Sequence, residues 1–451
     1  MQKDEVLQAL NDHQDQKVRV GIFDIDGILR GKLIHVSKLK KVAENDFGFC
    51  NVVFGWDSND VPYENGSVSG WHTGYPDAVA SLDFQTFRRI PWEDQTPFIL
   101  GDFRNDQNGI AEVCPRTLLT KVRQKAQDLG YQPIFSGELE WFNFQETPQS
   151  WADKGYRNPQ PMTPGMFGYS VLRASQKAPF FQALFDQLHA FGIPVEGLHT
   201  ETGDGVYEAC ILYDDILKSA DRMALFKTSV KELAYQHGLM ASFMAKWNKD
   251  LPGCSGHLHQ SLWDLEQQQN QFFDQNRPYG MSKLMEHYIA GQLHCLPYIL
   301  PMYAPTVNSY KRLVAGSWAA VSASWGIENR TTALRVIKGG AGATRLETRV
   351  PGSDANPYLS MATSLAAGLY GIEHQLELSA PTQGNEYDNK GNQPLPRNLF
   401  EATQAMKTSD IPAQLFGSGF VDHFIRTREW EWQQFLENIS DWEMHRYFEI
   451  I

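Results

Sequence analysis

Four segments of this chain place charged side chains at strand spacing. Three carry charges two residues apart with a small or apolar residue between them, and in the fourth two glutamates flank a glycine turn. They are Glu138-Leu139-Glu140, His257-Leu258-His259, Arg345-Leu346-Glu347-Thr348-Arg349, and Glu201 with Glu208 around TGDGVY. Alternate residues of a strand share a face. A solvated surface would explain one such segment, but four favour convergence on one cavity.

Convergence of these faces would place five carboxylates and a histidine together. Their mutual repulsion would be prohibitive without neutralising cations. Donor sets rich in oxygen select Mg²⁺ or Mn²⁺ over zinc. Several such ions could hold a nucleoside triphosphate beside a reacting oxygen. The pattern therefore predicts phosphoryl transfer.

Arginines occur in the same part of the sequence, and they have two interpretations. They are Arg312, Arg330, Arg335, Arg345 and Arg349. Guanidinium groups match carboxylate and phosphate geometry, so some would hold an anionic substrate or stabilise the transferring phosphoryl group. Others could be ion-pair partners of the glutamates. The chain has no GxxxxGK[ST] motif, so metals and side chains would have to hold the phosphates.

Composition narrows the class of protein. The 451 residues carry 40 basic and 53 acidic side chains, a net charge of -13 without a basic stripe, which argues against a nucleic-acid partner. The polar N-terminus and the lack of a long apolar run argue against a secretory signal and a membrane span. Five cysteines without a CxxC pair favour reduced thiols. We expect a cytoplasmic protein.

The order of patterns predicts two domains. Residues 17–38 read as a strand, a turn at Gly27 and a returning strand, the start of a β-rich module that we extend to residue 105. Amphipathic helices are predicted at about 116–129, 175–191, 215–237 and 357–376, with strands between them. Residues 380–398 form a polar loop rich in proline and glycine.

Taken together, the charged segments resemble the glutamine synthetase family. The matching stretches are GELEWF (137–142), HTETGDGVYEA (199–209), FMAKW (243–247), GCSGHLHQSLW (253–263), APTVNSYKRL (304–313), NRTTALR (329–335) and TRLETRVPGSDANPYL (344–359). They follow the family order across most of 115–375. The DIDGILRGK segment at 24–32 is similar to the N-terminal module of the family.

The resemblance implies an α+β fold. Residues 1–105 would form an N-terminal β-grasp domain, and residues 106–451 a catalytic domain with a curved antiparallel sheet backed by helices. It also implies a homo-oligomer of stacked hexameric rings, in which the N-terminal domain of a neighbour completes each active site.

The resemblance also assigns roles to individual residues. Glu140, Glu201 and Glu208 resemble ligands of the metal beside glutamate, and Glu138, His257 and Glu347 those of the nucleotide-side metal. Gly253, Arg312 and Arg349 resemble glutamate-binding positions, Arg330 and Arg335 phosphate-facing arginines, and His259 and Ser261 nucleotide-side positions. Mg²⁺ or Mn²⁺, about two to three ions per site, and ATP as co-substrate are implied.

Departures from the family pattern concern the nitrogen donor. After NSYKRL the family carries a flap glutamate that binds and deprotonates ammonium, and here Trp318 stands at that place. An indole cannot act as a base, but it can stack on an amine substituent or offer a cation–π face. Asp57 is the nearest match to the aspartate that a neighbouring subunit contributes. Pro252 replaces an asparagine before Gly253.

We therefore expect an ATP-dependent ligase that joins the γ-carboxylate of L-glutamate, through γ-glutamyl phosphate, to a primary amine larger than ammonia. Aniline-like or short alkyl amines fit Trp318 better than polyamines. One alternative is a glutamine synthetase that uses ammonia, with Glu328 as a displaced flap glutamate. Another is a non-catalytic structural relative.

Overall fold

The computed structural model describes residues 1–44, 47–104 and 109–451. The first five strands are β1 (Lys17–Phe23), β2 (Leu29–His35), β3 (Phe47–Cys50), β4 (Asp77–Ile90) and β5 (Thr96–Asp102). The later strands are β6 (Tyr131–Phe144), β7 (Val195–Thr200), β8 (Val206–Ile211), β9 (Asp214–Asp215), β10 (Met240–Ser242), β11 (Gly256–Asp264), β12 (Trp325–Ile327), β13 (Leu334–Ile337) and β14 (Arg345–Thr348).

Helices precede, separate and follow these strands. The α-helices are α1 (Lys3–Asp12), α2 (Val36–Val42), α3 (Ile110–Val113), α4 (Pro115–Asp128), α5 (Pro148–Asp153), α6 (Val171–Gln176), α7 (Ala178–Ala190), α8 (Ile216–Gln236), α9 (Lys283–Ile299), α10 (Ser309–Arg312), α11 (Pro357–Glu373), α12 (Leu399–Lys407), α13 (Ile411–Phe416), α14 (Ser418–Glu437) and α15 (Asp441–Tyr447). Short 3-10 turns lie at Asn51–Phe54, Pro278–Gly280, Leu300–Met302 and Glu386–Asp388.

The N-terminal sheet contains the predicted strand, turn and strand. Its order is β2-β1-β5-β4-β3, with β1 parallel to β5 and the other pairs antiparallel. Between β1 and β2, Gly27 adopts a φ of 77°, and Asp24 Oδ1 accepts the N–H groups of Asp26 and Ile28. Glycine reaches this left-handed region without strain. The domain boundary expected at 105/106 lies outside the described residues and stays a prediction.

The second sheet is the predicted large sheet of the catalytic region. Its strands run β12-β13-β14-β11-β6-β8-β7, with β9 and β10 also paired to β6. Every pair is antiparallel except β12 with β13. Leu139, Leu258 and Leu346 are fully buried in the core, and the charged residues at the alternate positions point to the other face.

Helices cover the apolar face of this sheet. α8 packs against β6, and α11 packs against α4, α8 and α9. α9 and α11 approach closely, since a Cβ at Gly291 would lie 2.2 Å from the carbonyl oxygen of Ala367. The predicted ends of α4 and α8 are confirmed by Gly130 and Gly238, both at positive φ. Within the described ranges, no helix has the length and apolar character needed to cross a membrane.

A buried ion network joins the N-terminal sheet to the helices. Arg116 of α4 has a nearly inaccessible side chain. Its guanidinium donates to Asp102 of β5 at 2.6 Å, to Asp83 of β4 at 2.7 Å and to Asp221 of α8 at 2.8 Å. Three carboxylates around one arginine leave an uncompensated buried negative charge if the arginine is lost.

Arg116→Met should therefore lower the free energy of unfolding by about 3–5 kcal/mol. Arg123→Met is the matched control in the same helix, because Arg123 forms a partly exposed pair with Asp215 and should cost no more than about 1 kcal/mol. Chemical denaturation of both variants measures the difference. Equal losses in the two variants would contradict the role of Arg116.

Candidate active site

The sheet order brings the four charged segments side by side. They lie on β14, β11, β6, and the β7–β8 hairpin, which are consecutive neighbours in the sheet. The register sets His257 opposite Glu138, and it sets Glu140 opposite Glu208. It also sets His259 opposite Glu347. The convergence expected from strand alternation is therefore what the structure shows.

One end of the acid cluster contains both histidines of β11. His259 Nε2 lies 3.0 Å from Glu138 Oε1, and His257 Nδ1 lies 3.6 Å from Glu138 Oε2 and 3.4 Å from Glu347 Oε1. Glu138, His259 and Glu347 offer three potential ligand atoms within 4.8 Å of one another. His259 Nε2 is buried and lacks hydrogen-bond geometry to any described partner. Glu138, His259 and Glu347 are therefore close enough to one another to contribute to a single cation site.

The other end of the cluster includes a histidine that we did not predict from the sequence. His199 Nδ1 lies 3.8 Å from Glu201 Oε2, and His199 Nε2 lies 3.9 Å from Glu208 Oε1. Glu140 lies opposite Glu208 at this end, and its Oε2 accepts the N–H of Ser255 at 2.6 Å. Counting back two residues from Glu201 would have identified His199.

Strand alternation would also have identified Cys210. Its Sγ lies 3.5 Å from Glu138 Oε1, and with Glu138 and Glu208 it forms a further group of potential ligands. Burial and the neighbouring carboxylates raise the pKa of the Cys210 thiol, so it is neutral in this environment.

The carboxylates of the cluster fall into two groups, one with raised and one with lowered pKa values. The raised pKa values belong to glutamates that face other carboxylates. Burial and the charges of Glu140 and Glu138 raise the pKa of Glu208 to about 9. Burial and the charge of Glu201 raise the pKa of Glu140 to about 7, although hydrogen bonds from Ser255 oppose the rise.

The other class consists of carboxylates with cationic or imidazole partners. Burial opposes ionisation of Glu347, but Arg349 holds its pKa at about 2. Burial likewise opposes ionisation of Glu138, and His259 and His257 hold its pKa well below the usual range. The pKa of His257 falls to about 4 because it is buried beside Arg349.

These residues fit hard divalent cations. The donor set is mainly carboxylate oxygen with imidazole nitrogen at its edges, which suits Mg²⁺ or Mn²⁺. Burial and the neighbouring carboxylates raise the pKa values of Glu208 and Glu140, which shows that negative charge at these positions needs a counter-charge. A divalent ion would supply it.

Arg349 connects the acid cluster to the region around Trp318. Its guanidinium contacts Glu347 Oε1, donates from Nε to the carbonyl oxygen of Arg330 at 3.2 Å, and donates from Nη2 to that of Trp318 at 3.4 Å. The side chain of Arg330 is exposed. Arg349 therefore has the ion-pair role that we had allowed for some of the arginines, and it also fixes two backbone carbonyls.

Arg335 lies between two carboxylates. Its Nη1 donates to Glu347 Oε2 at 2.9 Å, and its Nη2 donates to Glu328 Oε2 at 2.6 Å. Glu328 Oε1 also accepts the N–H of Lys338 at 2.9 Å. Both oxygens of Glu328 are therefore occupied next to β13, which disfavours Glu328 as a displaced flap glutamate.

Gly253 and Arg312, predicted to bind glutamate, are in direct contact. A Cβ at Gly253 would lie 2.7 Å from Arg312 Cγ and 2.5 Å from the carbonyl oxygen of Ala245. The Arg312 guanidinium donates to the carbonyl oxygen of Val350, and its buried Nε has no partner among the described residues. The Arg312 side chain thus packs directly on the backbone of this loop.

Trp318 and Asp57 lie in different environments. Trp318 is 63% exposed, and its φ of 59° lies in the left-handed region. Asp57 is buried, and it accepts the N–H groups of Asn59 at 2.8 Å and Val61 at 3.0 Å, with Trp430 Nε1 at 2.9 Å. Asp57 therefore stabilises a turn of its own subunit and is not part of the acid cluster of that subunit.

A cavity of about 690 Å³ opens beside the acid cluster. Glu138, His259 and Ser261 line it, together with Trp263 and Arg345. Trp263 Nε1 donates to Ser261 Oγ at 3.0 Å, and Arg345 Nε donates to His259 Nδ1 at 3.2 Å. The cavity suits a ligand with an aromatic part and an anionic part, with the anionic part directed toward Glu138 and His259.

Tyr169 was missed by the sequence analysis, because it lies in a loop without charge spacing. Its ring stacks on His199 with centroids 4.4 Å apart, and its backbone N–H donates to the carbonyl oxygen of Thr200 at 2.7 Å. The side chain is 71% exposed. Tyr169 therefore forms an accessible aromatic wall at the Glu201 end of the cluster.

Comparison with known proteins agrees with this geometry. Residues 112–447 match the model of the glutamine synthetase catalytic domain. The chain belongs to the glutamine synthetase family. The predicted fold class is confirmed, and so is the expectation of an ATP-dependent ligase. Enzymes of this family generally use ATP and divalent metals.

The relatives of this chain carry names that indicate different nitrogen acceptors. The chain is 49% identical over its whole length to a type-1 glutamine synthetase 2 of Dictyostelium discoideum, covering 87% of that protein. It is 34% identical to a glutamate–isopropylamine ligase of Pseudomonas sp., with 99% of this chain and 98% of the relative covered. The solved structure of apo GmaS superposes with a TM-score of 0.85 at 25% identity, covering 98% of this chain and 99% of that one.

Glu138→Gln should weaken divalent-metal binding by more than about tenfold, because Glu138 is central to two of the potential ligand groups. Titration with Mn²⁺, monitored by electron paramagnetic resonance, measures the change. Glu286→Gln, at a surface pair with Arg277, is the control and should bind Mn²⁺ normally. Unchanged binding by Glu138→Gln would contradict the assignment.

Metal binding should release protons near neutral pH. Glu208 and Glu140 have raised pKa values of about 9 and about 7, so a cation has to displace their protons as it binds. Affinity for Mg²⁺ should therefore be weaker at about pH 6.5 than at about pH 8.5. Calorimetry at the two pH values tests this, and equal affinities would count against protonated ligands.

Proposed function

We propose that this chain joins the γ-carboxylate of L-glutamate to a primary amine larger than ammonia, forming a γ-glutamylamide with release of ADP and phosphate. Aromatic amines such as aniline, or short alkyl amines, are the proposed acceptors. The proposed ions are Mg²⁺ or Mn²⁺, about two to three per site. The proposed location is the cytoplasm.

The observation that carries the amine proposal is Trp318. Residues 313–324, which follow Arg312 and correspond to the flap of the family, present an exposed indole and no carboxylate. An indole can neither accept a proton nor attract a small cation by charge, so it offers little to ammonium. It can pack on the apolar substituent of an alkyl or aryl amine. The aromatic wall of Tyr169 adds apolar area at the Glu201 end of the site.

The charged residues suit the first step of the reaction, in which ATP phosphorylates the γ-carboxylate of glutamate. Divalent ions, when bound, would neutralise phosphate charge and the carboxylates. We propose that Gly253, Arg312 and Arg349 orient glutamate, while Arg330 faces the transferring phosphoryl group. Arg335 is anchored between Glu328 and Glu347, which restricts the positions its guanidinium can adopt toward the phosphates.

The nucleotide is proposed to occupy the cavity beside His259 and Ser261. Glu138 and His259 line this cavity, so phosphates directed toward them would meet the proposed metal ligands. Trp263 provides an aromatic surface for a base.

A homo-oligomer of stacked hexameric rings with shared active sites is proposed for assembly. In support, the C-terminal segment from Ile439 exposes large apolar side chains that a monomer would leave in water. The most exposed are Ile439, Phe448, Ile450 and Ile451. We propose that Asp57 helps to deprotonate the incoming amine in the active site of a neighbouring subunit. An aryl amine, which is already neutral at physiological pH, would need little of this help.

Glutamine synthesis from ammonia is the second candidate. The 49% identity to a protein named glutamine synthetase favours it. The absence of a flap carboxylate at Trp318 and the pairing of Glu328 with Arg335 argue against it.

Phosphate release with glutamate and ATP should be much faster with one of methylamine, isopropylamine, ethanolamine or aniline than with ammonium or putrescine. Trp318→Glu should shift the preference toward ammonium, because it places a carboxylate at the flap. Tyr235→Glu, at an exposed aromatic residue of α8, is the control and should keep the original preference. Ammonium as the best acceptor of the unaltered enzyme would refute the proposal in favour of glutamine synthesis.

A further inference from the structure

The polar loop predicted at 380–398 is bound to the region that carries Trp318. We call residues 379–395 the strap and residues 313–324 the flap. The N–H of Ala323 donates to the carbonyl oxygen of Gln393 at 2.8 Å, and the N–H of Leu395 donates to that of Val321 at 3.0 Å. Strap and flap are therefore joined by backbone hydrogen bonds, and their positions are coupled.

A buried carboxylate fixes the strap. Glu386 is 1% exposed, and its oxygens accept hydrogen bonds from Ser322 of the flap and from Thr382 and Asn392 of the strap. Its backbone N–H donates to Thr331 Oγ1 at 3.0 Å. Buried polar groups satisfied in this way hold one geometry firmly, because each alternative leaves a group unpaired.

Glu386 places the next residue, Tyr387, against the flap. Tyr387 Oη donates to the carbonyl oxygen of Ala319 at 3.1 Å. Burial raises the pKa of Tyr387, so the hydroxyl keeps the proton that it donates. The preceding carbonyl, that of Trp318, accepts from Arg349. Two consecutive carbonyls of the flap are thus held from two different elements.

The backbone at Trp318 needs such support. Its φ of 59° is uncommon for a residue other than glycine and is unfavourable for a bulky side chain. A strained conformation persists only when the surrounding structure fixes it. Because the indole is exposed, its own packing does not supply that restraint.

We infer that Tyr387 is a positioning residue that sets acceptor specificity by holding the flap in the conformation that presents Trp318. The inference rests on the proposed function, since it assumes that Trp318 contacts the amine. It extends that proposal by assigning a role in acceptor selection to the strap.

Tyr387→Phe in the full-length enzyme tests the inference, because it removes one hydroxyl and keeps the ring. Hydrogen–deuterium exchange should become faster in residues 313–324. The KM for the preferred amine should rise about threefold to tenfold, the range that one lost hydrogen bond represents. The KM values for ATP and glutamate should stay unchanged. Tyr235→Phe, at an exposed tyrosine of α8, is the control and should alter neither quantity.

The outcomes separate this inference from the proposed function. Unchanged exchange in the flap of Tyr387→Phe would overturn the positioning role. Faster exchange with an unchanged KM for the amine would overturn the link to acceptor specificity. If the unaltered enzyme prefers ammonium, the proposed function fails instead, and the exchange result still reports whether Tyr387 holds the flap.

Discussion

Repulsion among carboxylates on neighbouring strands is the constraint on which the rest of the structure depends. The register of the large sheet places Glu138, Glu140 and Glu208 on one face, and the apolar residues between them are locked into the core on the other. The strands cannot slip to separate the charges without exposing that core. This arrangement carries an electrostatic cost that bound divalent cations would relieve, which supports the proposal that these residues bind metal.

Arg349 neutralises part of the negative charge of the acid cluster, and it also connects the cluster to the flap. Arg349 pairs with Glu347 and also holds the backbone carbonyl of Trp318. The acid cluster and the flap are therefore linked through Arg349. Tyr387 holds the next carbonyl, so the position of the indole depends on two elements that are far apart in sequence.

The sequence could predict what depends on local spacing. Strand alternation predicted the convergence of Glu138, His257 and Glu347, and the same rule, applied more fully, would have found His199 and Cys210. Helix ends were predictable from glycine. These signals work because the side chain and backbone that decide the outcome are neighbours in the chain.

Other features depend on tertiary contacts that spacing does not encode. The strap looked like an ordinary polar loop, because the partners that fix it to the rest of the chain, Ser322, Thr331 and Ala319, are more than one element away. The network around Arg116 joins aspartates from three elements. The surroundings of Asp57 were equally hidden, since its partner Trp430 lies on α14.

The central claim is that carboxylates from separate strands of one sheet hold divalent cations together. Anomalous diffraction at the manganese edge, from crystals grown with Mn²⁺, measures this directly. The account predicts manganese peaks on the charged face of the sheet, bonded to side chains of β6, β11 and β14 and of the β7–β8 hairpin. Crystals with saturating Mn²⁺ and no anomalous peak at this face would contradict it.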